Sequence, residues 1–204
     1  MAQYIREILP GMFQFLIQDE SRTRVAYYVK RKFGNYLFYG APPVAELFRL
    51  IRAQGGLVKY FPAEQVAGES YEAQYFRRFG ASAVYTTAPT RNTAYRWELF
   101  QDQQLLYRDL DLLTCPEVPE MAIYRLRHRR RTILLPGSWL SLQNGHWLFP
   151  KWLASRQRRA IRDLLAQSDF DYLFPRFSQG FISFQQVEGR FKDIQLRHLG
   201  LAAE

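Results

Sequence analysis

Short apolar runs separated by polar breaks dominate the first forty residues. Residues 8–17 read as an opening strand, 18–22 as a polar turn and 25–29 as a second strand. The basic turn 30–35 then leads into a third strand over 36–40, so a β meander opens the chain. After the break at Ala41-Pro42-Pro43 the period changes. Val44, Leu47, Phe48 and Ile51 fall at helical spacing over 44–54, and Gly55-Gly56 ends the run. A short strand over 57–61, a loop over 62–68, a helix over 71–79 closed by Gly80 and a buried strand over 81–87 follow, which is an α/β layer built onto the meander.

The second half is again rich in strands. Residues 90–104 carry mixed signals, 105–109 pair back, and 110–114 alternate weakly before the proline-bracketed loop 115–120. Residues 121–126 and 132–135 form a hairpin around the basic turn 127–131. The strongest helix signal spans 151–167, with Trp152, Leu153, Ile161, Leu164 and Leu165 near one face and arginines on the other. A strand over 169–175, an apolar run over 180–184 and a polar segment to Leu201 complete the chain, with no repeat of fixed period.

Composition narrows the classes. With 204 residues, 48% hydrophobic and 16% aromatic, the chain can bury one substantial core, and a single domain over 1–204 is expected. A formal net charge of +9 favours polyanionic or acidic partners. The lone Cys115 excludes an intramolecular disulfide and fits a reducing, cytoplasmic setting, while His128, His146 and His198 are scattered and read as surface or packing residues. No apolar run reaches the length of a membrane span, and no targeting segment is read at the start, where Arg6, Glu7 and Pro10 interrupt the apolar patch.

The order of these elements, with several local strings, resembles the metallo-β-lactamase superfamily across nearly the whole chain. Gly34-Asn35 between two strands looks like the family's Gly-Asn turn, and Gly40-Ala41-Pro42 stands at its Asp-Thr-Gly or Asp-Pro-Gly loop. The run from Lys59 to Gly68 lies over the family's Thr-His-x-His-x-Asp-His segment. Leu112 to Glu120 looks like the family's Thr-Pro-Gly-His-Thr-Pro-Gly segment, Thr132 to Leu140 resembles the strand that ends in Gly-Asp, with Gly137 kept and Ser138 in place of the aspartate, and Leu173 to Ser178 resembles the last Leu-Pro-Gly-His-Gly. The resemblance implies an α/β fold, an αββα sandwich in which two facing mixed β-sheets are covered by helices. It also implies that the metal-ligand positions are held here by Tyr60, Pro62, Glu64, Gln65, Glu117, Ser138 and Phe177, none of them the family residue.

That set speaks against zinc chemistry, which uses imidazole and carboxylate ligands to lower the pKa of a bound water. Proline and phenylalanine have no coordinating side chain, and glutamine and serine offer only neutral oxygens. No metal and no cofactor are therefore expected, and the chain reads as a pseudoenzyme. Glu64 and Glu117 remain the candidates for a residual hydrolase or for a hard cation held through oxygens. The positive feature is a basic face made of Arg125, Arg127, Arg129, Arg130 and Arg131 on the hairpin and Arg156, Arg158, Arg159 and Arg162 on the helix. It suits a protein partner with an acidic face in an interaction, assembly or regulatory role. Nucleic acid, RNA in particular, is the alternative partner.

Overall fold

In a computed structural model, residues 3–18, 23–62, 71–86, 95–100, 108–118, 121–179 and 183–201 are described, and they fall in two compact units, Met1–Gln101 and Asp102–Glu204.

The N-terminal unit opens with three antiparallel strands, β1 (Gln3–Leu9), β2 (Met12–Gln18) and β3 (Thr23–Val29), and β4 (Tyr36–Phe38) pairs antiparallel with β3. The opening strand expected over 8–17 is in fact a hairpin. Pro10-Gly11 turns the chain, Gly11 takes φ 78°, and the Glu7 carboxylate accepts the Gly11 N–H at 2.6 Å. Beyond β4 the pairing becomes parallel through β5 (Lys59–Phe61), β6 (Ser82–Tyr85) and β7 (Trp97–Leu99). Parallel neighbours need crossovers, and α1 (Ala45–Ala53) supplies the one between β4 and β5, α2 (Tyr71–Phe79) the one between β5 and β6. Gly55, Gly56 and Gly80 take positive φ just past these helices, as the sequence suggests. Leu47 and Ile51 of α1 and Tyr75 of α2 pack on Leu37, Tyr60 and Ala83 of the sheet. Asn35 ties the start of β4 to the end of α1, since its amide donates to the carbonyls of Gln54 and Gly56.

The C-terminal unit holds a five-stranded sheet in the order β15 (Gln185–Gln186), β13 (Tyr172–Leu173), β10 (Arg131–Leu135), β9 (Ile123–His128) and β8 (Leu110–Leu113), in which only β10 and β13 run parallel. A second group places β11 (Ser141–Gln143) between β12 (His146–Leu148), antiparallel to it, and β14 (Phe177–Gln179), parallel to it. α3 (Ser155–Gln167) and α4 (Gly189–Leu201) pack Ile161, Leu165 and Leu199 with Ile123, Leu134, Leu173 and Trp147.

Three sequence expectations change in this unit. The basic turn is two residues long, because His128 and Arg131 already pair, leaving only Arg129-Arg130 outside the ladder. The helix over 151–167 begins at Ser155, after a turn knitted by Arg158, whose guanidinium donates to the carbonyls of Leu153 at 2.8 Å and Lys151 at 3.1 Å. Trp152 therefore lies outside the helix and is 65% exposed instead of buried along its apolar face. Finally, the polar segment before Leu201 is α4. Its buried positions include Gln195 beside Leu199, and a glutamine on the inner face disguises the amphipathic pattern.

Candidate functional site

The positions suggested by the resemblance divide between the two units. In the N-terminal unit Tyr60 lies on β5 and is enclosed, its ring stacked on Tyr75 at 5.0 Å with an interplanar angle of 26°. Strand alternation accounts for this. Tyr60 faces the helix layer, while Phe61 turns to the opposite side of the sheet and stacks on Phe38 at 4.5 Å. Pro62 follows directly and is buried. Glu64 and Gln65 lie outside the described residues.

In the C-terminal unit Ser138 and Phe177 share a neighbour. Arg176 donates to Ser138 Oγ at 3.2 Å and its guanidinium lies 4.8 Å from the centroid of the Phe177 ring. Glu117 sits on an exposed turn after β8 and accepts from the buried thiol of Cys115 at 3.3 Å. That hydrogen bond, the Glu117 backbone N–H and the charge of Arg156 hold the Glu117 carboxyl below its ordinary pKa. Burial, and then the carboxylate beside it, push the Cys115 thiol up, as befits an inert cysteine.

Zinc does not fit the described part of this set. The Tyr60 phenol is packed in an aromatic stack, Pro62 and Phe177 have no donor atom, and Ser138 Oγ is engaged by a guanidinium. A fixed cation bonded to a would-be ligand opposes a metal ion at the same atom. Among the described residues no group of three or more His, Cys, Asp or Glu is placed to share a metal ion.

The basic residues separate into engaged and presented ones. Asp111 of β8 faces Arg125 across the ladder and takes hydrogen bonds from Arg125 at 2.9 and 3.0 Å and from Arg127 at 2.7 and 3.2 Å. Partial burial works against this carboxylate, and the forked bonds from Arg127 and Arg125 outweigh it, so its pKa falls below the ordinary 3.8. Arg131 lies 3.7 Å from Asp171, Arg162 binds Asp163, and Arg158 is spent on backbone carbonyls. What remains presented is Arg129 and Arg130 at the hairpin tip, with Arg156 and Arg159 on α3, all four exposed. The tip is conformationally unusual. Arg129 and Arg130 take φ of 47° and 66°, the primed two-residue hairpin geometry that favours Asn-Gly.

Two features escaped the sequence. Trp152 meets Trp139 edge-on at 5.3 Å, placing an exposed indole just before the basic start of α3. A cavity of about 370 Å³ is lined by Thr132, Asp169, Phe170, Asp171, Glu188 and Lys192, and its acidic walls set it apart from the basic face.

No protein-family model matches the chain and no curated protein matches it. Solved structures do. The FIM-1 metallo-β-lactamase from Pseudomonas aeruginosa in its mono-zinc form aligns with a TM-score of 0.65 and 10% identity, covering 100% of this chain and 97% of that one. The DIM-1 metallo-β-lactamase gives 0.65 and 12%, covering 98% and 96%. A B3 metallo-β-lactamase with an active-site glutamic acid gives 0.61 and 11%, covering 98% and 89%. At such identities the likeness is one of architecture, and the chain, with its mixed sheets and helices, has the metallo-β-lactamase fold.

Proposed function

We propose that this chain is a single-domain, non-catalytic protein of the metallo-β-lactamase fold that binds an acidic face of a partner protein in an interaction, assembly or regulatory role. The observation that carries the binding surface is the Arg129-Arg130 tip. Two bulky residues occupy left-handed backbone there, at a cost of order 1 kcal/mol or more each, where Asn-Gly would be comfortable. Neither side chain has a hydrogen-bond or ionic partner among the described residues, so the strained turn leaves two guanidinium groups exposed to solvent. Arg156 and Arg159 add charge on α3. The non-catalytic part rests on the donor set, in which the guanidinium of Arg176 holds Ser138 Oγ. A cytoplasmic location suits the single reduced cysteine.

Capture from native lysate with the parent protein and with an R129N/R130G/R156Q/R159Q variant tests this. A partner with an acidic face should be retained by the parent and lost by the variant. Equal recovery by both would remove the basic surface from the function.

Trp152 favours a second reading. An exposed indole beside a basic helix end is the arrangement that stacks an unpaired base while cations meet the phosphates, and the partner would then be single-stranded RNA. Titration of labelled RNA at two salt concentrations separates the two. Affinity that falls steeply with salt and is lost on Trp152→Ala selects RNA. A residual hydrolase using Glu64 and Glu117 is the third alternative, and it requires turnover that Glu117→Gln abolishes.

A further inference from the structure

The histidines at positions 146 and 198, fifty-two residues apart and unremarkable in the sequence, meet in the fold. His146 opens β12 directly after the Asn144-Gly145 hairpin turn, and His198 lies in the last turn of α4. Their ring centroids are 4.9 Å apart with planes tilted by 36°. Gln195, one helical turn before His198, fixes this approach. Buried at 2% exposure, it accepts from Trp147 N–H at 2.9 Å and donates to the Gly145 carbonyl at 3.2 Å, so it grips the two residues that flank His146. Gln185 braces the same hairpin, donating to the Gly145 carbonyl at 3.2 Å and accepting from the Trp147 indole at 2.9 Å. Neither imidazole has a hydrogen-bond or ionic partner among the described residues.

We infer that His146 and His198 form a two-histidine site for a late first-row divalent cation such as Ni²⁺ or Zn²⁺, clamping α4 to the β11–β12 hairpin. Separation carries the inference. With metal–nitrogen bonds of about 2.0–2.1 Å and a ring centroid roughly 1.1 Å beyond each nitrogen, two imidazoles at right-angle or tetrahedral positions on one ion hold their centroids roughly 4.4–5.2 Å apart. The observed 4.9 Å falls inside that window. His146 is exposed and its ring turns broadly about the final torsion, so the nitrogens can be aimed without moving the backbone. Imidazole selects this class of ion over Mg²⁺ or Ca²⁺, which prefer oxygen. Two protein ligands leave the remaining positions to water, so the ion exchanges, in contrast to a closed four-ligand structural site. None of the positions discussed above supplies a ligand to this site, which does not depend on the proposed function.

The test is calorimetric titration of tag-free full-length protein with NiCl₂ and with ZnCl₂, together with unfolding temperature in the presence and absence of each metal. The parent should bind one equivalent and melt higher with metal. His146→Ala and His198→Asn should each weaken binding about tenfold or more, because the second imidazole then no longer acts intramolecularly, and should abolish the thermal shift. His146 is exposed, so its replacement leaves the fold intact and keeps the comparison valid. Absence of binding by the parent at millimolar metal, or binding that survives His146→Ala unchanged, overturns the site.

Discussion

Asp111 settles how much of the arginine-rich hairpin is available to anything outside it. One carboxylate accepts from two guanidinium groups, and its depressed pKa has a consequence with a definite sign. A carboxyl whose pKa is lower folded than unfolded stabilises fully above the unfolded value, near 3.8, and loses that contribution as pH falls through the folded value. Asp111→Asn should therefore cost about 1 kcal/mol at pH 7, discounted for partly exposed partners. The difference from the parent should shrink as pH falls below 3.8 and through the lower folded value. Urea denaturation of both proteins at several pH values checks this, and a penalty that stayed constant with pH would contradict it. Residue chemistry also separates what can be read locally from what cannot. That Pro62 and Phe177 hold no metal follows from their side chains alone, whereas the bond from Arg176 to Ser138 joins positions 38 residues apart and required the fold.

Elements differ in how plainly they announce themselves. α1 and α2 were legible because apolar residues at helical spacing end at glycine, and the observed boundaries, Ala45–Ala53 and Tyr71–Phe79, follow that punctuation closely. α4 was not, because buried Gln195 interrupts its inner face in order to bond the neighbouring hairpin. α4 also supplies Lys192, which donates to the carbonyl of Ala166 at 3.1 Å and to that of Ser168, satisfying acceptors at the end of α3 with a cation where the helix dipole is negative. Lys192→Met keeps the apolar stem and removes the charge. It should lower stability by about 1 kcal/mol, read as a shift in the urea midpoint with unchanged slope. The β9–β10 turn makes the opposite prediction. Replacing Arg129-Arg130 by Asn-Gly relieves left-handed strain and should raise the unfolding temperature by about 2–4 °C, for roughly 1 kcal/mol gained. The same change should weaken partner binding. Stability and binding moving in opposite directions would distinguish a functional tip from an accidental one.

For the whole molecule, the expected outcome is a protein that keeps the architecture of a metal hydrolase without its metal chemistry. Protein purified from zinc-supplemented culture and dialysed should retain less than stoichiometric zinc and should not hydrolyse ester, thioester or phosphodiester substrates above the buffer rate. Tightly retained zinc with turnover would reverse this expectation. Zinc weakly held and released by His146→Ala belongs instead to the histidine pair.

The sequence by itself determined the α/β class, the places of α1 and α2 and the likeness to the metallo-β-lactamase fold, because periodicity, glycine stops and residue identity are properties of short stretches of chain. It left three things to tertiary structure. These are which arginines are neutralised and which are presented, the burial of Tyr60 against Tyr75, and the meeting of His146 with His198. Each depends on strand register or helix docking between distant segments. A local pattern specifies the face a residue takes, and only packing specifies what stands opposite it.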